Sequence, residues 1–235
     1  MEEEMIFNNE NSFEEEIGDL YRLHYITKSY EHIVEYEKGA WKLFEPSKFI
    51  YAFFAFNSFY NFDWEESLKS KKLITCTKKI NIEGKEYEPH EDQKYKAMID
   101  FIFLKINDDD KKLFKRNILG SYSIDKTLEI ISGITQDKRI TESVSENFKK
   151  EFEKLLKSDD IKTEKLKNVI MWFIYNVRNN IFHGTKDTIE MQEVFQRKRL
   201  IVYSNIIIAI NELLFKVLEK HTNFKPCDKY RLKNF

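Results

Sequence analysis

One short segment carries the side chains best suited to chemistry, the run Arg178 to His183 with the sequence Arg-Asn-Asn-Ile-Phe-His. An arginine guanidinium stays charged and can donate two hydrogen bonds to one phosphate. A histidine, whose unperturbed pKa is about 6.5, can accept or donate a proton near neutral pH. The helical sequence around this run is apolar on almost every side, and polar groups there cost free energy unless each has a partner or a function. The run is therefore a candidate site for proton transfer beside a bound phosphate.

Helical geometry constrains how these groups can meet. Asn179 and His183 are four residues apart and are neighbours on a helix, whereas Arg178 and His183 would point about 140° from each other. Gly184 permits a left-handed cap that would loosen the last turn around His183. The alternative is that each group meets a partner from a second copy of the chain. On the opposite side, one stripe is predicted to face the core: Ile170, Ile174, Val177 and Ile181.

The run, late in a helical chain and followed by Gly184, resembles the Arg, polar residue, spacer, His signature of HEPN domains. Many HEPN domains are metal-independent endoribonucleases. The aromatic stretch from Phe49 to Trp64, which contains Asn57 and Tyr60, resembles the first core helix of several such proteins. HEPN toxins that are paired with nucleotidyltransferase antitoxins often have a tyrosine two residues after the histidine. Here that position is Thr185, so regulation by modification of such a tyrosine is not expected.

The resemblance implies a role for each residue of the run. Arg178 and His183 would be catalytic, and Asn179 and Asn180 would orient the catalytic groups or bind substrate. The substrate would be RNA, and the site would be a composite of two chains in a homodimer. An antitoxin or another defence-system protein would be a further partner.

The residue types suit cleavage of RNA by its own 2′-hydroxyl. That reaction needs a base for the 2′-hydroxyl proton, an acid for the leaving 5′-oxygen and a cation beside the phosphate. Two copies of His183 and Arg178 at one interface would supply all three. The expected products carry 2′,3′-cyclic phosphate and 5′-hydroxyl ends.

Three other interpretations stay open. The same pocket could bind a nucleotide or an RNA end without catalysis. The chain could be a helical partner protein whose aromatic surface docks another protein. In a purely structural role, Arg178 would bond helix-terminal carbonyls, His183 would end the helix, and the asparagines would bond between packed helices.

Four basic residues soon after the run are candidate contacts to the RNA backbone: Lys186, Arg197, Lys198 and Arg199. Lysine and arginine bind phosphates and release counterions. The alternative for such charges is an ordinary solvated surface.

Composition predicts an all-α fold. The 235 residues include 20 Phe and 12 Tyr but only 6 Gly and 3 Pro, so few positions force a helix to end. The 39 Lys and Arg balance 40 Asp and Glu, so the net charge does not indicate a nucleic-acid or membrane partner. The longest wholly apolar runs, Phe49 to Phe56 and Val169 to Tyr175, are too short to span a bilayer.

The sequence predicts neither a metal nor another cofactor. Cys76 and Cys227 are far apart and lack metal-ligand spacing, and the histidines do not cluster with Cys, Asp or Glu. The acidic N-terminal segment does not resemble a signal peptide. We therefore expect a cytoplasmic protein.

We predict one HEPN-like helical domain over residues 1–235, with core helices at about 12–65 and 140–222. A peripheral insert is expected at about 66–140, with a short hairpin or irregular excursion at about 70–90. Helical spacing resumes from Glu91 to Ile106 and, in shorter pieces, at 109–118 and 123–133.

Four further features define the expected core helices. The aromatic run from Phe49 to Tyr60 is expected to be the central buried helix. Ser143 opens a capping-box pattern for the helix that precedes the candidate-site helix. Thr163 is expected to start the helix that carries the candidate site, and Thr188 the final helix.

Overall fold

The computed structural model describes residue 24 and residues 44–61, 80–82, 85–87, 90–134, 140–158, 161–182 and 193–222. Almost all of them are helical, so the protein is all-α. The helices are α1 (Phe44–Asn61), α2 (Glu91–Lys105), α3 (Asp108–Leu119), α4 (Ile124–Ser132), α5 (Glu142–Lys157), α6 (Thr163–Lys165), α7 (Trp172–Phe182) and α8 (Val194–Thr222). Strands β1 (Ile80–Ile82) and β2 (Lys85–Tyr87) pair antiparallel, within the range where the sequence predicts a hairpin.

The last helix lies at the centre of the core. Between Val202 and Val217, α8 is buried on nearly every side, and it packs against α1, α2, α3 and α4. Even Asn211 is only 1% exposed, and its Nδ2 donates to the carbonyl oxygen of Ala52 on α1 at 3.4 Å. This corrects the expectation that the aromatic helix is central, because α1 leaves Tyr51 and Phe54 partly exposed.

The apolar composition of α8 follows from this position. Within the described residues, Val194–Val217 is the one stretch long and apolar enough to cross a membrane. However, 78% of its most apolar window is buried inside the protein. Packing against the neighbouring helices is thus sufficient to explain its hydropathy.

Helices α2, α3 and α4 belong to the core, which corrects the expected peripheral insert for this part of the chain. Tyr95 and Ile102 on α2 and Phe114 and Ile118 on α3 are buried, and all four belong to the same apolar cluster as α8. Helix α3 packs along α8. Its apolar residues are spaced three to four apart, so one face is apolar although the helix as a whole is strongly charged.

Helix starts follow the expected capping chemistry, with one correction. Asn107 caps α3, accepting from the backbone N–H of Asp110 at 2.9 Å. The cap of α5 is Thr141, whose hydroxyl oxygen accepts from the N–H of Val144 at 3.4 Å, so the cap is not Ser143. The final helix begins at Val194, six residues after the predicted Thr188.

The helix that carries the candidate site changes geometry along its length. It begins at Thr163, as predicted, but the segment Leu166–Met171 is π-helical and passes directly into α7. The predicted first helix, from about residue 12, lies outside the described residues except for His24. That residue is helical and buried, with its ring 5.2 Å from the ring of Phe215.

Candidate functional site

Helix α7 is fixed by its apolar face, which sets the direction of its polar residues. Ile170 and Ile174 are 1% and 0% exposed, and Val177 and Ile181 are partly buried against the core, which confirms the predicted stripe. The π-helical segment lies directly before α7, and such segments occur frequently at functional sites. The polar residues are thus presented from a helix anchored along one side.

Arg178 lies between two aromatic rings. Its guanidinium carbon is 4.7 Å from the ring centroid of Phe182, one turn further along α7, and 5.6 Å from that of Phe53 on α1. A cation over a ring face is stabilised by about 0.5–2 kcal/mol, depending on desolvation. The two rings therefore hold the guanidinium in place without neutralising its charge.

In the described part of the chain, the buried Nε of Arg178 lacks a hydrogen-bond partner, whereas another nitrogen of the guanidinium has one. Nη1 donates to Oδ1 of Asn179 at 2.9 Å. Nε is buried and has no hydrogen-bond partner within the described residues. A buried donor without a partner costs about 1–3 kcal/mol, and such groups are found at functional sites more often than elsewhere.

The three asparagines of this helix have different environments. Asn179 is partly exposed and accepts from Arg178. Asn176 donates to the carbonyl oxygen of Trp172 in its own helix at 2.9 Å. Asn180 is only 2% exposed and points into the core. Burial makes Asn180 poorly placed for the predicted role of orienting catalytic groups or binding substrate, and it is Asn179 that accepts the described hydrogen bond from Arg178.

His183 and Lys186 lie outside the described residues. The structure places the described end of α7 at Phe182, directly before His183. The convergence of Arg178 and His183 accordingly stays a prediction.

Arg197 is not a phosphate contact, because it is occupied by an ion pair. Its Nε and Nη2 donate to the two carboxylate oxygens of Glu45 on α1, each at 2.7 Å, and both side chains are largely buried. The hydrogen bonds that Arg197 donates to Glu45, together with the negative charge of that carboxylate, raise the pKa of Arg197 despite its burial. The pair joins the start of α8 to the start of α1.

The two neighbouring cations also differ from each other. Arg199 donates from Nη2 to the carbonyl oxygen of Gly133 after α4, so it too supports the fold. Lys198 is half-buried. A hydrogen bond from Lys126 lowers the pKa of Glu129, and the charge of Lys198 adds a smaller effect in the same direction. Of the predicted RNA-backbone contacts that lie within the described residues, Lys198 is the one that makes no direct hydrogen bond or ion pair with a described protein group.

Sequence reasoning missed two residues of this site, Phe53 and Glu45. Phe53 was assigned to the core only, and its contact with Arg178 depends on how α1 and α7 pack. Glu45 precedes Pro46 at a helix start, where an acidic residue is common for local reasons. No signal in the sequence pairs either residue with its partner more than a hundred residues away.

A second polar cleft lies between α1, α3 and α8. Its volume is about 510 Å³, and its lining includes Lys48, Arg116, Asn117, Asn205 and Glu212. Asn117 donates to Glu212, and Asn205 donates to the carbonyl oxygen of Ile118 at 3.2 Å. These bonds tie α3 to α8, which gives the cleft's amides a structural role.

Within the described part of the chain, no three His, Cys, Asp or Glu side chains lie close enough together to hold a metal ion. Comparisons with protein-family models, curated proteins and solved structures found no match to this chain.

Proposed function

We propose that the protein is a HEPN-like endoribonuclease of the toxin or antiviral-defence type. It cleaves single-stranded RNA or exposed RNA loops, where the 2′-hydroxyl is accessible. It acts in the cytoplasm, without a metal, as a homodimer with a composite site. An antitoxin or other defence protein is its expected partner.

The observation that carries the proposal is the placement of Arg178. A guanidinium is held between two rings, with its Nε buried and unpartnered within the described residues, and it lies five residues before His183 in the sequence. An arginine that served only to cap helix-terminal carbonyls would donate to those carbonyls. Here its hydrogen bond goes to the side chain of Asn179. The charge is thus preorganised for an anion from outside the helix.

Each residue of the site has a separate role in the reaction. One His183 removes the proton from the 2′-hydroxyl, whose oxygen then bonds to phosphorus. The bond from phosphorus to the 5′-oxygen breaks, and the other His183 of the dimer protonates that oxygen. Arg178 stabilises the charge that develops on the phosphate oxygens, and Asn179 fixes the guanidinium. The products are a 2′,3′-cyclic phosphate and a 5′-hydroxyl.

The test compares purified wild type with Arg178→Ala and His183→Ala on a mixed RNA pool in the presence of a chelator. We expect wild-type cleavage with the stated end groups and a loss of about 100-fold or more in each variant. Arg178→Lys keeps the charge without the planar fork and should retain intermediate activity. Equal cleavage by all the proteins would refute the assignment. A wild type that binds nucleotide but does not cleave would identify a non-catalytic binding module.

A further inference from the structure

Three partly exposed aromatic rings lie together beside Arg178. Tyr51 and Phe54 of α1 and Phe182 of α7 are 39%, 41% and 37% exposed. The ring centroids of Tyr51 and Phe54 are 6.4 Å apart, and those of Phe54 and Phe182 are 5.5 Å apart. We name these three rings the aromatic ledge. It differs from the other face of α1, where Phe49 and Phe53 are sealed in the core.

The ledge has a positive charge at one end. The guanidinium of Arg178 lies 4.7 Å from the ring centroid of Phe182, which is itself a ledge ring. A ligand that lies across the three rings therefore has a cation beside it at the Phe182 end. Aromatic faces and an adjacent guanidinium are the combination that binds bases and phosphates of single strands.

Apart from Glu45 at the start of α1, which is paired with Arg197, the two helices that form the ledge contain no acidic residue. No Asp or Glu occurs from Pro46 to Asn61 or from Lys165 to Phe182, although acidic residues are frequent in the rest of the chain. A polyanion lying along these segments meets no carboxylate from either. The ledge is thus complementary to an anionic, aromatic ligand.

We propose that the aromatic ledge binds unpaired nucleotides of single-stranded RNA, with bases stacked on Tyr51, Phe54 and Phe182 and a phosphate beside Arg178. This inference rests on the proposed function, since it assigns the surface that holds the substrate. The ledge gives affinity with little sequence preference, because every base has a face that can stack.

The test measures binding without cleavage. The probe is a fluorescent oligoribonucleotide with 2′-O-methyl groups at every position, which cannot be cleaved, and anisotropy gives its Kd. A matched probe has the same phosphates but abasic sugars. We expect the wild type to prefer the base-containing probe at least about tenfold. Phe54→Ala and Phe182→Ala should each weaken its binding about 5- to 150-fold and reduce that preference.

Trp172→Ala is the matched control. Trp172 is a similarly exposed ring on α7, 38% exposed, but it stacks on Tyr175 at 5.6 Å rather than on the ledge. Its loss should leave the Kd unchanged. Phe54→Tyr and Phe182→Trp keep a stacking face and should retain binding. Circular dichroism confirms that each variant is folded.

Several results would overturn the proposal that the aromatic ledge binds RNA. One is equal affinity of the wild type for the base-containing and abasic probes. Another is unchanged affinity in folded Phe54→Ala and Phe182→Ala. If these substitutions instead dissolve a dimer seen by sedimentation, with RNA affinity unchanged, the rings seat a second copy of the chain. Binding that depends on the rings, without cleavage of ordinary RNA, would support the ledge as a binding surface and refute the proposed nuclease activity. Cleavage that is unaffected by the ring substitutions would refute the ledge as the substrate surface and leave the nuclease activity standing.

Discussion

Glu45 and Arg197 form a two-pronged ion pair, with both carboxylate oxygens 2.7 Å from guanidinium nitrogens. The pair connects the first described turns of α1 and α8, so it holds the aromatic helix against the central one. Its geometry is the bidentate form that arginine makes with carboxylates.

We expect Glu45→Gln to lower the free energy of unfolding by about 2–4 kcal/mol, because it leaves the largely buried Arg197 without its charge partner. Urea denaturation would measure this, and a double-mutant cycle with Arg197→Gln should give a coupling energy above about 1 kcal/mol. Lys198→Ala, at the adjacent position, should change stability by less than about 0.5 kcal/mol. Additive effects of the two pair substitutions would contradict the described contact.

Asn179 is predicted to be a positioning residue for Arg178. Asn179→Ala removes the acceptor for Nη1, so we expect kcat for RNA cleavage to fall about 10- to 100-fold with a smaller change in KM. Asn179→Asp keeps an acceptor oxygen and should restore part of the activity. Asn176→Ala, which loses only a bond to Trp172 of its own helix, is the control and should cleave normally. Equal kinetics for the Ala variants at 176 and 179 would remove this role.

Gly120 ends α3 with a φ of 55°, in the left-handed region that favours glycine. A Cβ there would also lie 2.8 Å from Nδ2 of Asn205, the atom that donates to Ile118. We expect Gly120→Ala to destabilise the protein by about 1–3 kcal/mol in thermal or urea unfolding.

Gly133 provides the control for the Gly120→Ala substitution. Its φ is −80°, and a Cβ would meet only the far end of the long Arg199 side chain, at 3.0 Å. Gly133→Ala should therefore be within about 0.5 kcal/mol of the wild type. A larger effect at Gly133 than at Gly120 would contradict the described turn.

The pH dependence of stability should depend partly on Asp110. Burial would raise the pKa of this carboxyl, but hydrogen bonds from Lys216, Lys220 and the backbone of Asn107 lower it to about 2. Because the folded-state pKa is below the unfolded value of 3.8, the carboxylate stabilises the protein above pH 3.8. That contribution is lost as the pH falls toward 2.

Asp110→Asn should consequently destabilise the protein at pH 7 by on the order of 1–2 kcal/mol. This free energy is smaller than the lowered pKa alone would give, because the two lysines are partly exposed and solvent screens their charges. The difference from wild type should shrink between pH 4 and pH 2 in urea unfolding curves measured across that range. Asp109→Asn, at an exposed neighbouring carboxylate, should show almost none of this dependence. A constant difference across the range would contradict the assigned ion pairs.

The parts of the fold that the sequence predicts are those governed by local rules. The spacing of Ile170 and Ile174 gives the buried face of the site helix, and the break at Asn107 gives a helix start, because both depend on residues within a turn or two. The predicted cap Ser143 and the observed cap Thr141 are two residues apart, and both carry a hydroxyl that can cap a helix, so local rules alone do not separate them.

The features that the sequence does not predict are those that depend on packing between helices far apart in the chain. Asn179 and Asn180 are adjacent amides of one polar run, yet Asn180 is buried and Asn179 is partly exposed. Arg197 and Lys198 look alike as adjacent cations, and only the approach of α1 separates an ion-paired residue from a surface one. Aromatic α1 and aliphatic α8 are both apolar all round, so composition does not rank them as the central helix.

The position of α8 has a consequence for how the chain folds while it is being synthesised. Tyr203 of this helix packs edge-on against Phe49, so the cover for that ring is translated more than a hundred residues after it. At ribosomal rates of about 5–20 residues per second, the delay is on the order of ten seconds. During that interval the nascent aromatic segment lacks its final helix, and it is a natural substrate for chaperones that bind exposed apolar surfaces.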